Sequence, residues 1–281
     1  MRYLICGNKG QLGKEFEKKL SKMNKKFIGF DIDTTDIGDI DALSIIFEQF
    51  KPTVVLNCAA YNNVDGAETE SQQAFRVNAD GVHNLAKLSE NYGAFLVHYS
   101  SDYVFDGLKA NGLYTEGDRP HPINQYGRSK LEGENLLAEY NYRALILRLS
   151  WVFGEGTQNF IHKLQNWAEN NDMLNIVCDE TSVPTYTGTI TEVTLSALEH
   201  GLSGIYHLTN SGYATRYEWA KLIFKILGIK KFIYPAHLSD FVLPARRPRF
   251  SAMSNSKLVE EMAIKIPEWE EATEKFLKEI K

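Results

Sequence analysis

The chain has little of three things that mark other classes of protein: cysteine, long apolar runs and clustered positive charge. Its 281 residues include only three cysteines, Cys6, Cys58 and Cys178, which are widely spaced and lie in or beside apolar runs. We therefore expect buried, reduced thiols rather than a disulfide or a metal site. No stretch reaches the roughly 20 apolar residues of a membrane span, and the N-terminus reads into a strand rather than a secretory signal. The protein is expected to be cytoplasmic, without a membrane partner.

The charge distribution argues against a further class. The formal net charge is −5, and no block of lysine and arginine forms a basic face. Nucleic-acid binding is therefore not expected. The chain is long enough to bury a large core and to form one larger and one smaller domain.

Apolar runs of strand length alternate with helical patterns in the first half of the chain. The predicted strands are Tyr3–Gly7, Phe27–Asp31, Val54–Asn57, Phe95–Ser100 and Ala144–Leu149. Such alternation indicates βαβ units, so the predicted fold is α/β with a Rossmann-type, doubly wound parallel sheet. The ligand crevice of such a sheet lies at the carboxyl ends of its strands, where the polar candidates described below are found.

The pattern loosens after about residue 150. Helices are predicted over Phe160–Asn170, near Ile190–His200, over Arg216–Leu227 and over Trp269–Ile280, with a strand at Gly204–Thr209. We expect residues 1–150 to form the dinucleotide-binding domain. Residues 151–281 should form mainly a smaller C-terminal α/β substrate domain, with some segments returning to the first domain.

A glycine-rich turn follows the first predicted strand and precedes an amphipathic helix. Gly7, Gly10 and Gly13 allow positive φ and close backbone approach, so the amides at the helix start can face a pyrophosphate. Asp31 follows about twenty residues later, where its carboxylate can accept hydrogen bonds from an adenosine ribose. This favours NAD over NADP, although Lys9 in the turn could offset repulsion of a 2′-phosphate. A plain tight turn is the alternative interpretation.

Tyr126 and Lys130 lie one helical turn apart, which sets a phenol beside an ammonium group. A free phenol titrates near pH ~10, and an adjacent cation favours its ionised form, so the pair can move a proton near neutral pH. The spacing alone occurs by chance in many helices. Its position after the glycine turn, and one strand downstream of Ser100 and Ser101, favours a catalytic role.

The run Arg246-Arg247-Pro248-Arg249 clusters guanidinium groups near the C-terminus. Their forked donors match the oxygens of a diphosphate. A solvated loop is the alternative, and the cluster alone does not decide between them.

Several segments together follow the pattern of one family. They are Gly7–Gly13, Asn57–Tyr61, Val64–Glu68, Ser101–Gly107, Tyr126–Lys130, Arg148–Gly154, Pro184-Thr185, Gly204–Leu208 and Arg247-Pro248. In these segments, which span nearly the whole chain, the protein resembles the dTDP-4-dehydrorhamnose reductase family of extended short-chain dehydrogenases/reductases. The runs at Val64–Glu68 and Asp102–Gly107 are specific to this branch, whereas the glycine turn and Tyr-x-x-x-Lys belong to the whole superfamily.

The resemblance implies reduction of a nucleotide-linked 4-keto-6-deoxyhexose by NADPH or NADH, the last step in making dTDP-L-rhamnose. Tyr126 would protonate the oxygen at C4, and Lys130 would lower the pKa of the phenol and hold the nicotinamide ribose. Ser101 would orient the same oxygen. The family usually has threonine at this position, but the hydroxyl is retained.

The same resemblance distributes the binding residues. Cofactor contacts are implied for Gly7, Gly10, Gln11, Leu12, Gly13, Asp31, Asp39, Ile40, Ala60, Tyr61, Asn62, Tyr126 and Lys130. Substrate contacts are implied for Ser101, Asp102, Tyr126 and Trp151 and, through the arginine cluster, for Arg247; ordinary core packing is the alternative for Trp151. Some members bind Mg²⁺ between subunits, and Glu15 matches that site, but Gly188 lies near where a second carboxylate is needed. No metal is predicted, and a homodimer is left open.

Other functions stay open at this point. A nucleotide-sugar dehydratase generally needs an Asp-Glu pair after the hydroxyl residue, whereas Tyr103 follows Asp102 here, and an epimerase would retain NAD without net consumption. A non-catalytic NADP-binding regulatory subunit, like that of methionine adenosyltransferase, shares much of the pattern. The presence of Ser101, Tyr126 and Lys130 together favours catalysis.

Overall fold

The computed structural model describes residues 1–139 and 144–280. Its strands are β1 (Arg2–Cys6), β2 (Lys26–Phe30), β3 (Val54–Asn57), β4 (Phe95–Ser101), β5 (Ala144–Leu149), β6 (Val152–Phe153), β7 (Met173–Val177), β8 (Thr181–Ser182), β9 (Thr185–Tyr186), β10 (Gly204–His207), β11 (Ala214–Thr215) and β12 (Phe232–Ala236). Its α-helices are α1 (Gln11–Lys22), α2 (Ile40–Phe50), α3 (Ser71–Phe75), α4 (Gly81–Tyr92), α5 (Gln125–Glu139), α6 (Phe160–Asn170), α7 (Thr187–Glu199), α8 (Arg216–Leu227), α9 (Ser256–Met262) and α10 (Trp269–Glu279).

Six of these strands form one parallel sheet in the order β10-β5-β4-β3-β1-β2. The chain runs outward from β1 in one direction through β2 and in the other through β3, β4 and β5. The strand order therefore reverses between β1 and β3, and a ligand crevice is expected at the carboxyl ends of these two strands. The predicted α/β class and doubly wound parallel sheet are confirmed, and the five predicted strands are found within one residue at each end.

The central strands are continuous apolar runs because both faces of the sheet are covered. Successive residues of a strand point to opposite faces, and neighbouring pairs accordingly divide between two hydrophobic cores. Leu4, Val55, Leu96 and Ile146 pack on the face of α2 and α4, whereas Ile5, Leu56, Val97 and Leu147 pack on the face of α1 and α7. Such burial on both sides is typical of a parallel sheet.

A further hydrophobic core lies outside the main sheet. It is formed by α6, α8 and α10 around Trp151, Phe153, Trp219 and Phe276. The parallel pair β7 and β12 packs beside α8, while β10 joins the main sheet and α7 packs on α1. Segments after residue 150 thus contribute to both regions, and the division into dinucleotide-binding and substrate domains stays a prediction.

Two general features of the chain complete the description. Within the described ranges, no helix combines the length and apolar character needed to cross a membrane. Cys6, Cys58 and Cys178 are free thiols, and Cys6 is buried. The expectation of a buried thiol is confirmed for Cys6, whereas Cys58 and Cys178 are only partly buried because each lies just beyond a strand end.

Candidate active site

The glycine turn brings the start of α1 against the loop that follows β3. Gly7 has a φ of +77°, and a Cβ built on it would lie 2.7 Å from the backbone nitrogen of Ala59. A Cβ on Gly13 would lie 2.3 Å from the carbonyl oxygen of Gly7. Both approaches are too close for any side chain, so the turn requires glycine at these two positions. Gly10 is extended and precedes the first residue of α1.

A cavity of about 360 Å³ opens beside this turn. It is lined by Gly7, Lys9, Gly10, Phe30, Asp31, Ile32, Thr35, Asp36, Ile37, Cys58, Ala59, Ala60, Tyr61, Asn62, Gln73, Val77 and Gln158. A second cavity of about 140 Å³ lies between the turn and residues 155–158, and Gln11 lines it. The structure thus gathers six of the predicted cofactor residues around the larger cavity: Gly7, Gly10, Asp31, Ala60, Tyr61 and Asn62.

The cavity edge that follows β2 carries the acidic residue expected for a ribose. The carboxylate of Asp31 accepts hydrogen bonds from the backbone amides of Lys9 at 2.9 Å and Ile32 at 2.8 Å. The ammonium of Lys9 forms an ion pair with Asp33. The positive charge in the turn is therefore directed at Asp33.

Six predicted cofactor residues do not line either of these two cavities: Leu12, Gly13, Asp39, Ile40, Tyr126 and Lys130. Asp39 instead caps α2, since its carboxylate accepts hydrogen bonds from the amides of Asp41 and Ala42 at 3.1 Å. Asp36 and Ile37, a few residues earlier, line the larger cavity. The assignment of Asp39 and Ile40 to the adenine remains a prediction. Several aspartates lie close together after β2, and no sequence pattern marks Asp36 among them.

Ser101 and Tyr126 meet at the carboxyl end of β4. Ser101 is the last residue of that strand, and Tyr126 lies in the first turn of α5, which Asn124 caps by accepting a 2.7 Å hydrogen bond from the amide of Gly127. A Cβ on Gly127 would lie 2.2 Å from the carbonyl oxygen of Tyr103, so glycine lets the helix pack directly against the turn after β4. This contact brings the phenol within hydrogen-bonding reach of the Ser101 hydroxyl.

Burial, which the sequence spacing does not reveal, has the largest effect on the pKa values of Tyr126 and Lys130. It raises the pKa of Tyr126 to about 12; the hydrogen bond with Ser101 opposes the shift, and the charge of Asp102 adds to it. The prediction that the pKa of this phenol is lowered was therefore wrong. The Lys130 ammonium donates to the carbonyl oxygen of Tyr99 at 2.6 Å, and burial lowers its own pKa to about 8. Tyr126 is therefore protonated at neutral pH and can act as a proton donor.

Asp102 is buried among serine hydroxyls. It is 3% exposed, and its Oδ2 accepts hydrogen bonds from Ser251 at 2.5 Å, Ser182 at 2.8 Å and Ser150 at 3.2 Å, while Ser101 donates to Oδ1 at 3.2 Å. Burial raises its pKa, and these hydroxyls oppose the shift. Asp102 thereby joins four segments of the chain, and its contact with substrate stays a prediction.

Trp151 has a backbone conformation that bulky residues rarely adopt. Its φ is +37°, and its side chain is 9% exposed. The guanidinium of Arg216 lies 3.5 Å from the centroid of the Trp151 ring, and the ring of Trp219 is nearly parallel to it at 6.1 Å. Packing of the indole against neighbouring side chains is thus observed. A strained φ at a ligand crevice is also typical of functional sites, so substrate contact remains a prediction.

Arg247 is held beside the site by an acidic partner. Its Nη2 lies 2.7 Å from a carboxylate oxygen of Asp65, and its Nη1 donates to the carbonyl oxygen of Ala245 at 2.9 Å. Arg216 was missed in the sequence because it begins a helix, where a single arginine looks like a solvated residue. Both guanidinium groups lie close enough to Tyr103 to lower the pKa of its phenol, although burial raises that pKa overall.

The acidic partners on this side of the site are also buried. Glu180 is 7% exposed, accepts a 3.2 Å hydrogen bond from the hydroxyl of Tyr103, and lies 3.7 Å from Nε of Arg216. Within the described residues, no group of three histidine, cysteine, aspartate or glutamate side chains is placed to hold a metal ion. The prediction of no metal concerned a site between two subunits, and it stays a prediction.

The fold and the site define a Rossmann-type reductase. They combine a doubly wound sheet, a glycine turn at the start of α1, and a serine at the end of β4 near a tyrosine and a lysine of α5. The sequence profile described as the RmlD substrate binding domain matches residues 1–281, and the chain belongs to that family. The dTDP-4-dehydrorhamnose reductase of Aggregatibacter actinomycetemcomitans is 36% identical over 284 residues, which cover 96% of each protein.

Two solved structures agree with this family membership. The crystal structure of a dTDP-4-dehydrorhamnose reductase from Clostridium acetobutylicum superposes with a TM-score of 0.96 at 35% identity, covering 100% of this chain and 99% of that one. The enzyme of that name from Bacillus anthracis, solved in complex with NADP, has a TM-score of 0.95 at 33% identity and covers 99% of both chains. The chain is an oxidoreductase of this family.

Proposed function

We propose that this protein reduces the C4 ketone of a nucleotide-linked 4-keto-6-deoxyhexose, with dTDP-4-dehydro-L-rhamnose as substrate and dTDP-L-rhamnose as product. NADPH or NADH is the hydride donor. One observation carries the proposal: at the carboxyl end of β4 the Ser101 hydroxyl lies close enough to the Tyr126 phenol to lower the pKa of the phenol, with Lys130 one turn further along α5. Relatives that carry the name of this activity match the chain over nearly its full length.

The cavity beside the glycine turn fits a dinucleotide. Gly7 and Gly13 leave no side chain between the turn and the start of α1, so backbone amides can approach a pyrophosphate. Within the described residues, Oε1 of Gln11 is a buried acceptor without a hydrogen-bond partner, and Gln11 lines the smaller cavity. Asp31 can take the adenosine ribose, and we assign Asp36 and Ile37 to the adenine side of the cavity. When bound, the nicotinamide supplies the hydride.

The residues of this chain supply the proton and the orientation. Because the pKa of Tyr126 lies near 12, its phenol is fully protonated at neutral pH and gives its proton to the oxygen at C4 as negative charge develops there. Ser101 orients that oxygen. The transfer leaves a phenolate, which the ammonium of Lys130 stabilises until the phenol regains a proton from solvent.

The nucleotide part of the substrate requires cationic groups on the other side of the site. Arg216 and Arg247 approach the same phenol, that of Tyr103, from two different segments. Their planar guanidinium groups match the oxygens of a diphosphate. We assign these two residues to the diphosphate and the indole of Trp151 to the apolar face of the sugar.

A coupled assay tests the proposal. The purified protein is mixed with NADPH or NADH and a panel of nucleotide 4-keto sugars that differ in base and sugar, and loss of the reduced nicotinamide is recorded while products are separated by chromatography. We expect consumption with dTDP-4-dehydro-L-rhamnose and one equivalent of reduced sugar for each nicotinamide oxidised. Firm cofactor binding without turnover on any sugar would contradict the proposal and favour the regulatory-subunit alternative.

A further inference from the structure

A line of buried charge extends from Lys130 away from the reacting end of the site. Helix α5 places Tyr126, Lys130 and Glu134 at successive intervals of four residues, so they share one face of the helix. Lys130 is 2% exposed and Glu134 is 3% exposed. Arg148 on β5 is also buried, and it donates to Glu134 through Nε at 2.9 Å and through Nη2 at 2.6 Å. The carboxylate is therefore held by a two-point ion pair.

Arg148 is fixed on its other sides as well. Its guanidinium lies over the ring of Phe105, 5.2 Å from the centroid, and its Nη1 is 3.5 Å from Nε2 of His207. Burial and the charge of Arg148 lower the pKa of His207 to about 3, so this imidazole is neutral at physiological pH. Arg148 thus contacts Phe105 and His207 as well as Glu134.

An ion pair buried this deeply needs a reason beyond stability. The cost of removing two charges from water offsets most of their attraction, and apolar pairs of similar volume are often as stable or more so. The position of Glu134, one turn from a buried lysine, supplies another reason. Burial lowers the pKa of Lys130 to about 8, and the negative charge of Glu134 opposes that shift.

The other groups around Lys130 do not replace this charge. From β4, His98 faces the lysine and is neutral, because burial and the lysine itself hold its pKa well below the usual value. The segment of residues 76–80 contributes the uncharged Asn78, which bonds to Ser129. Asp102, on the turn after β4, acts on the phenol of Tyr126. Glu134 is thus the acidic group that offsets the burial of Lys130.

We propose that Glu134, fixed by Arg148, is a positioning residue that keeps Lys130 in its ammonium form at neutral pH. The inference rests on the proposed reductase activity, in which the ammonium stabilises the phenolate of Tyr126 after proton transfer. Glu134 touches neither substrate nor cofactor and acts through Lys130.

The substitution Glu134→Gln removes the charge while keeping the size of the side chain and an acceptor for Arg148. Activity that needs protonated Lys130 is lost as pH rises through the pKa of that group, and removal of a nearby negative charge lowers this pKa. Side chains four residues apart on a helix lie about 6 Å apart, and an effective dielectric of ~20 gives a shift of about one to two pH units. In a plot of kcat against pH, the high-pH limb, where kcat falls, should shift to lower pH by that amount.

Three further variants separate charge from packing. Glu134→Asp and Arg148→Lys keep both charges, so the high-pH limb should stay in place even where stability falls. The double variant Glu134→Leu with Arg148→Met replaces the ion pair by an apolar one, which the interior tolerates. Its high-pH limb should also shift to lower pH. The shift should be smaller than in Glu134→Gln, because the double variant leaves no positive charge at Arg148 without a partner. This variant keeps the test open if Glu134→Gln fails to fold.

A second measurement does not depend on turnover. The dissociation constant of NADPH is determined across the same pH range by nucleotide fluorescence, without sugar, and weakening of binding should begin at lower pH in Glu134→Gln. If no sugar is reduced, the proposed function fails while this titration still reports on Lys130. The inference would be overturned if neither the high-pH limb of kcat nor the pH dependence of NADPH binding shifted in Glu134→Gln and in the double variant. If these variants showed only a lower kcat or Tm, the ion pair would be structural.

Discussion

Tyr126→Phe removes one hydroxyl from the centre of the site and should separate catalysis from stability. The phenol is the proposed proton donor, and a positioned general acid contributes a factor of about 10² to 10⁴. At about 1.4 kcal/mol for each tenfold change, the loss of transition-state stabilisation is about 3 to 5.5 kcal/mol. The folded protein should change little, because Ser101 keeps its hydrogen bonds to the amide of Tyr103 and to Asp102.

Tyr103→Phe is the matched control, because it makes the same chemical change in a neighbouring ring. The two rings meet edge to face with centroids 5.8 Å apart. The hydroxyl of Tyr103 donates to the buried carboxylate of Glu180 at 3.2 Å. Its removal leaves a buried charged acceptor with one partner fewer, which costs about 1 to 3 kcal/mol. We expect lower stability and less than about a tenfold loss of turnover.

Turnover with a saturating 4-keto sugar, urea unfolding and NADPH affinity by fluorescence are measured on both variants and on the unaltered protein. Tyr126→Phe should retain cofactor affinity and its unfolding midpoint while losing turnover. Tyr103→Phe should have a lower unfolding midpoint while its turnover stays within about tenfold of the unaltered protein. Turnover of Tyr126→Phe within tenfold of the unaltered protein would refute the reasoning, since it would mean that another group delivers the proton.

Two further predictions concern the glycine turn and the arginine loop. Gly13→Ala should cost about 2 to 3 kcal/mol in urea unfolding and weaken NADPH binding, because its Cβ would lie 2.3 Å from backbone of Gly7 that must then move. Gly10→Ala, whose Cβ meets the same oxygen at 3.4 Å, should cost less than about 1 kcal/mol, and equal losses would contradict the steric argument. For Asp65, hydrogen bonds and the charge of Arg247 hold the pKa below its usual value despite burial, so its contribution to stability is present above the unfolded pKa of ~3.9 and is lost as pH falls through the folded pKa. Arg247→Met should therefore be less stable near neutral pH, with the difference shrinking as pH falls below about 4; a constant difference would exclude this linkage.

The sheet and its neighbouring helices could be predicted because each is encoded locally. A strand covered on both faces is a continuous apolar run, as Val54–Asn57 and Ala144–Leu149 show. Helix α6 was predicted at its observed bounds, Phe160–Asn170. Helix α7 begins at Thr187, earlier than predicted, because its first turn consists of small residues that are buried without being strongly apolar. The pairing of β7 with β12 was not predicted, since the strands are far apart in sequence and nothing local specifies their register.

The positions of the site residues could be predicted from their spacing in the sequence. Their pKa values could not, because these depend on burial. A spacing of four positions from Tyr126 to Lys130 places both side chains on one face of a helix, whatever surrounds them. Spacing does not reveal that both side chains are desolvated, so it predicted a lowered pKa for the phenol where burial raises it. The charge of Glu134 four residues further on was equally visible in the sequence. Its meaning appears only when Arg148 is brought beside it by β5.

The serine hydroxyls around Asp102 bear on the first step of the proposed reaction. Ser101 must turn its hydroxyl hydrogen from Asp102 towards the oxygen at C4, which would ordinarily leave a buried carboxylate short of a donor. The bond to be released is long, at 3.2 Å, and it goes to Oδ1. The other oxygen keeps the shorter bonds from Ser182 and Ser251, at 2.8 Å and 2.5 Å. Most of the hydrogen bonding of Asp102 is therefore retained when Ser101 turns, so these two serines, from segments far from β4 in sequence, lower the cost of freeing Ser101 to orient the ketone.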